Sequence, residues 1–347
     1  MFFEKYSVAK KEKSSKCELQ VHKYISEYID DDTQVKSKYY GPKFDAHVHL
    51  GSIEGIHNLI KFREEFNIKK SVGIIWGNGY NELEAKFPDK FVLSKYFRSR
   101  QLFKVKPNLK LTLDSIEKIY QQGFPVVKFW FGPRVRDFVR EQFKVDPPKI
   151  QLSDPFFKSI FAKLEELGLI LLIHVSDPDL WYEKVYQPVS RYGTKREHID
   201  DFEEILSSFP NLKVQQAHFG SQPEDLENLA RWFESYPNYY VDTSSARWMA
   251  RELGMYPKKA REFFIKYSDR ILFGTDIVQD RNKPISDYYR TRYFTFQAIL
   301  ETSCWNIPLP FPDPENNNNT KINGLDLPLD VLKKIYWENA NKFFKLK

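Results

Sequence analysis

The 347-residue chain is long enough for one large α/β domain or two smaller ones, and its 41% hydrophobic and 29% charged content is globular and excludes intrinsic disorder. Its +6 formal charge comes from 53 basic and 47 acidic residues with no continuous basic tract carrying interleaved aromatics, so no nucleic-acid partner is expected. The two cysteines, Cys17 and Cys304, stand in no CxxC spacing, the start Met1-Phe2-Phe3-Glu4-Lys5 shows no long apolar h-region and no small-residue cleavage site, and no window approaches the roughly 18 apolar residues of a membrane span; a cytoplasmic protein without a disulfide framework or a membrane partner is expected.

Taken in chain order, Cys17 to Asp30 reads as a polar amphipathic helix, and Asp30 to Pro42 as a linker. Residues 1–42 are therefore expected to form an N-terminal helical extension packed on the main body, residues 43–347. From Lys43 onward, short β-rich apolar runs alternate with helical patterns. The runs are Phe44–Val48, Ser71–Trp76, Phe91–Phe97, Pro125–Phe131, Leu169–Val175, Leu212–Phe219, Tyr239–Asp242 and Ile271–Thr275. The helix before the fifth run has matching start and stop signals, with Asp154 at the N-cap, Pro155 at the first position and Gly168 after the end.

Eight strands, each followed by a helical or mixed stretch, predict a (β/α)₈ TIM barrel; a Gly-rich first turn and a phosphate loop are both absent. The Pro-containing segments Gly132–Ser153 and Ser176–Glu197 follow strand ends, on the face where a barrel keeps its active site. The Asn-rich stretch Pro308–Lys321 reads as a mobile solvent loop, and Asp330–Phe344 as a last helix on the barrel exterior.

Four of the seven histidines end apolar runs. His47 and His49 alternate in Phe44-Asp45-Ala46-His47-Val48-His49, a spacing that points two imidazoles to one side of a strand. His174 closes the fifth run, His218 the sixth, and Asp276 follows the eighth. In a parallel barrel these five converge on one mouth, and three or four imidazoles with one carboxylate suit a divalent cation, Zn²⁺ foremost, with Mn²⁺, Fe²⁺ or Co²⁺ also compatible. His22, His57 and His198 carry no assigned chemistry.

The segments FDAHVHLG, LLIHVSDPD, QQAHFGS, ILFGTDI, NYYVDTSS and YWENANKFF resemble the amidohydrolase superfamily, in particular its amidohydrolase-related branch, which includes carboxymuconate-semialdehyde decarboxylase type enzymes. The resemblance runs from about Lys43 to Phe344. It implies that His47, His49, His174 and Asp276 hold one metal and that His218 acts as acid or base, with Asp276 a second proton acceptor. Lys128, in an apolar fourth strand, either is carbamylated and bridges two metals, as in binuclear relatives, or contacts a substrate carboxylate or a nearby acid. One metal is the favoured count.

Trp76, Trp130, Arg134 and Arg247 follow strand ends and are candidate substrate contacts; an arginine there suits a carboxylate. Asp177 and Asp242 are expected to orient the imidazoles. The reaction expected is hydrolysis of an amide, ester or lactone-like bond of a small molecule. The alternatives are non-oxidative decarboxylation of a small carboxylic acid, and a non-catalytic metal- or partner-binding barrel. Expected partners are a small, carboxylate-bearing molecule and, in a homodimer, a second copy.

Overall fold

A computed structural model describes residues 37–77, 79–97, 108–144, 151–279 and 285–346. The expected helix over Cys17–Asp30, together with His22, lies outside the described residues. The strands are β1 (Lys43–His49), β2 (Ile68–Ile75), β3 (Phe91–Tyr96), β4 (Val126–Trp130), β5 (Ile170–His174), β6 (Val214–Gln216), β7 (Tyr239–Asp242), β8 (Ile271–Leu272) and β9 (Ile277–Val278). They form one parallel sheet in the order β8-β7-β6-β5-β4-β3-β2-β1-β9. β8 and β9 are two halves of one interrupted strand. Its backbone meets β1 through Ala46 N–H to the Phe273 carbonyl (2.7 Å) and Asp276 N–H to the His47 carbonyl (2.9 Å), so the sheet closes on itself as a (β/α)₈ barrel.

The helices between strands carry an apolar stripe inward. Pro155–Glu166 buries Phe157, Ile160, Phe161 and Leu164, starts with Pro155 in the first turn, and is followed by Gly168 at φ +66. Inside the barrel, Phe44, Ala46, Val72, Ile74, Val126, Leu172 and Leu272 form a dry floor below the mouth. The C-terminal segment departs from the expected exterior packing. Its last turn, Asn339–Phe344, brings Ala340 and Phe343 into that inner cluster, and Phe343 lies 4.5 Å from the Tyr240 ring. It is anchored there by Asn339 Nδ2, which donates to the Ser268 and Ile271 carbonyls at 2.6 and 2.7 Å.

Residues 37–43 are tied to the body by one buried carboxylate. Glu301 accepts from Ser37 Oγ (2.5 Å), Lys38 N–H (2.7 Å), Tyr39 N–H (3.1 Å), Lys43 Nζ (2.7 Å) and Tyr336 Oη (2.8 Å). The Asn-rich stretch is not an unstructured solvent loop: Ile307–Pro308 and Lys321–Ile322 pair as an antiparallel hairpin. Asp313 is buried at its tip, where it accepts from Arg251 Nη1 (2.8 Å). No described helix is long and apolar enough to cross a membrane. Cys304 is buried.

Candidate metal centre

The imidazoles of β1 are aimed by a change of phase within the strand. Phe44 and Ala46 face the floor, and alternation alone would turn His47 outward. The pairing with β2 shifts between Asp45↔Ser71 and Val48↔Gly73, three residues on β1 against two on β2. This bulge inserts one residue, so that Ala46 and His47 both face inward and His49 follows His47. Asp45, on the other face, braces the bulge. Its Oδ1 accepts from the N–H groups of His47 (3.2 Å) and Thr275 (3.0 Å), and its Oδ2 accepts from Thr275 Oγ1 (2.7 Å).

Two further candidate groups sit on left-handed backbone just past a strand. The sixth expected run ends early because His218 (φ 57, ψ 50) and Phe219 (φ 55, ψ 41) leave the extended conformation directly after β6. Asp276 has φ 56 in the gap between β8 and β9. Left-handed non-glycine residues are uncommon and mark positions that the surroundings over-determine.

The structure brings His47, His49 and Asp276 into one cluster, with one donor atom from each within 4.8 Å of the others. Asp276 Oδ1 is 3.5 Å from His47 Nε2 and 3.3 Å from His49 Nε2. Ligands at Zn–N and Zn–O bond lengths on a tetrahedron stand about 3.3–3.5 Å apart, so this donor set fits a small divalent cation. The buried carboxylate of Asp242 accepts from His47 Nδ1–H at 3.0 Å, which leaves the Nε2 lone pair facing the cluster. Asp242 also accepts from Gln215 Nε2 (2.6 Å), His218 N–H (3.2 Å) and Ser244 N–H (3.0 Å). Burial pushes the Asp276 carboxyl up, but the His49 hydrogen bond and the neighbouring imidazoles outweigh it and hold it well below the usual carboxylate range.

His174 and His218 lie beside that cluster, the His218 ring stacked 5.5 Å from that of His47. His174 Nε2 is 2.9 Å from Asp177 Oδ1, and His174 Nδ1 is 3.1 Å from His218 Nε2. His218 Nδ1 is 2.8 Å from Ser244 Oγ. The one consistent set of neutral tautomers runs Ser244 to His218 to His174 to Asp177, each donating to the next. Asp177 also accepts from Tyr186 Oη. In this arrangement the single lone pair of His174 is taken by His218. Burial, then the neighbouring His174, pushes the His218 pKa down to about 3, so it rests as a neutral imidazole.

Lys128 points inward. It is buried, and its Nζ is 3.3 Å from His47 Nε2. Burial lowers its pKa to about 8 against the opposing pull of Asp242 and Asp276. Trp76 stacks on Tyr96 at 4.0 Å and lies 6.3 Å from His49. Across the mouth, Trp248 meets His218 edge-on at 4.9 Å and Trp181 at 5.8 Å, and Arg134 lies over Trp181 at 5.9 Å. Trp130 is half-buried beside Gly132, where an added Cβ would be 3.3 Å from both Trp130 Nε1 and His174 Nε2. Arg247 is not free: its Nη1 donates to Glu315 at 3.1 and 3.3 Å. His57 packs on Phe87 (4.8 Å) and His198 Nε2 bonds the Tyr192 carbonyl (2.7 Å), both away from the mouth. Sequence reasoning missed Gln215, Ser244, Tyr186 and Trp181, whose roles arise only from contacts between strands and loops.

A family model described as amidohydrolase matches residues 133–346, more than half of the chain, beginning after β4. No curated protein sequence matches significantly. Among solved structures, the chain is similar to 5-carboxyvanillate decarboxylase from Novosphingobium aromaticivorans in complex with manganese and 4-hydroxy-3-methoxy-5-nitrobenzoic acid. The likeness has 14% identity and a TM-score of 0.52, and covers 91% of this chain and 100% of that one. A mutant of that decarboxylase, with manganese and 3-methoxy-4-hydroxy-5-nitrobenzoic acid, matches at 14% identity and a TM-score of 0.51, with the same coverage of 91% and 100%. At this identity the likenesses bear on the fold.

Proposed function

Because the chain belongs to the amidohydrolase family, we propose that it is a metal-dependent hydrolase that opens an amide, ester or lactone-like bond of a small molecule at the barrel mouth. The observation that carries this reading is the cluster of His47 Nε2, His49 Nε2 and the Asp276 carboxylate, spaced for one divalent cation. His174 is the proposed fourth ligand once its Nδ1 is released from His218. A divalent cation bound there supplies Lewis-acid polarisation of a carbonyl and a lowered pKa for attacking water.

The residues of this chain do the rest. Asp242 holds the His47 tautomer, and the Asp276 carboxylate, kept ionised, accepts a proton from the nucleophile. His218, resting as a neutral imidazole, is the proposed group that takes up this proton and passes it to the leaving group. Zn²⁺ is the proposed metal by its ligand preference, with Mn²⁺ the first alternative because the similar decarboxylase was solved with manganese.

Decarboxylation of a small carboxylic acid is the second reading. It is favoured by the two aromatic walls, Trp76 on Tyr96 and Trp248 on Trp181, which suit a flat ring. The test is metal analysis followed by a screen of esters, lactams and carboxylic acids in ¹⁸O-labelled water. Label incorporated into product supports hydrolysis, and CO₂ release supports decarboxylation. If wild type takes up no stoichiometric metal, and His49→Ala and Asp276→Ala change neither metal content nor any turnover, the enzyme reading fails.

A further inference from the structure

Three arginines lie in the segment after β7 and on the helix after β9, and they differ in one respect. Arg251 is bonded to Asp313 through Nη1 (2.8 and 3.0 Å) and to Glu252 through Nε (2.5 Å). Arg247 is bonded to Glu315 (3.1 and 3.3 Å). Arg292, on helix Ile285–Glu301, has no carboxylate partner among the described residues. Its bonds are both made by Nη1, to Thr291 Oγ1 at 3.1 Å and the Tyr288 carbonyl at 3.4 Å.

The guanidinium is nonetheless held in place. Its Cζ lies 4.1 Å from the Tyr288 ring centre and 4.2 Å from that of Phe311, so aromatic groups flank the cation. That leaves the Nε and Nη2 edge, the fork that pairs with a carboxylate through two parallel hydrogen bonds, without a partner among the described residues. Burial in this setting, with Arg247 nearby, pulls the pKa of Arg292 down to about 10, as expected for a cation lacking a counter-ion.

Its position ties it to the candidate centre. Tyr288 Oη accepts from Val278 N–H (3.1 Å), two residues after Asp276. Helix Ile285–Glu301 packs on the turn Ala246–Trp248, whose Trp248 meets His218. We infer that Arg292 anchors the carboxylate of a planar, aromatic-acid substrate whose reacting end reaches the His47, His49 and Asp276 cluster. This rests on the proposed metal-dependent reading of that cluster. Arg247, singled out from the sequence for this task, is occupied by Glu315.

The test uses benzoate and its neutral isostere benzamide as probes, with binding to the full chain followed by tryptophan fluorescence. Wild type is expected to bind benzoate at least about tenfold tighter than benzamide, the scale of a charged two-point hydrogen bond. Arg292→Met should abolish that preference with benzamide unchanged, whereas Arg247→Met should keep it. Should Arg292→Met fail to fold, Arg292→Lys, which keeps charge but not the fork, should weaken benzoate alone. A wild type with no preference, or a preference retained in Arg292→Met or lost in Arg247→Met, overturns the assignment. Both probes are also measured after chelation. Preference without metal uptake sinks the metal reading alone, and metal uptake without preference sinks this one alone.

Discussion

Lys128 Nζ stands 3.3 Å from His47 Nε2, on the side of the imidazole that faces the Asp276 cluster. An ammonium there repels a divalent cation, and with the pKa of Lys128 lowered to about 8 by burial, that charge disappears as pH rises through this value. Metal affinity is therefore expected to rise between about pH 7 and 9 in wild type. In Lys128→Met the Lys128 part of that rise should vanish, with one metal equivalent retained. Titration with a chelator as competitor measures both. Two equivalents in wild type falling to one or none in the variant would instead establish a bridging lysine.

Asp242 fixes the His47 tautomer from behind. Asp242→Asn, which removes the charge, is expected to weaken metal binding about 10–100-fold, the usual scale for a carboxylate behind a ligand imidazole. Chelator competition at fixed pH gives the ratio, and a change below threefold would separate Asp242 from the metal site.

Gly274 lies where three elements meet. A Cβ there would stand 3.2 Å from the Cβ atoms of both His47 and Asp242. Gly274→Ala is expected to cost about 1–3 kcal/mol in urea unfolding, the range for overpacking, and to lower metal affinity by moving His47. An alanine variant as stable and as tightly metallated as wild type would show that the contact yields freely.

Glu301 gathers five donors, and burial drags its partner Lys43 down in pKa while the pair and the other donors hold Glu301 below its usual range. The direction for Glu301 is the firmer one, since four groups besides Lys43 donate to it. Glu301→Ala leaves a buried lysine alone and is expected to cost about 3–5 kcal/mol. Because the folded pKa lies below the unfolded one, the wild-type contribution is complete above the unfolded carboxylate pKa and is lost as pH falls through the folded value. Acid unfolding curves of the two proteins should converge at low pH.

Much of the barrel was legible because strand runs and helix signals are local. Tyr239–Asp242 appears as read, and His47, His49 and Asp276 meet as the strand-end pattern suggested. What sequence could not give depends on three-dimensional company. The left-handed turns at His218 and Asp276 are held by neighbours distant in the chain, so apolar runs six and eight looked longer than their strands. The terminal segment was read as lying on the outside because its apolar residues show a helical face but not which cavity receives it. Nothing in the chain order distinguishes Arg247, bonded to Glu315, from Arg292, which has no carboxylate partner among the described residues.

The irregularity in β1 separates two tasks along a single strand. Below it, Phe44 and Ala46 answer to the packing of the floor; above it, His47 and His49 turn to the cluster with Asp276. A substitution that reshapes the floor need not re-aim the imidazoles, because the extra residue absorbs the change of face. Deleting one residue there would rotate the pair outward and exchange the proposed metal site for a hydrophobic plug, a loss of chemistry without a loss of barrel.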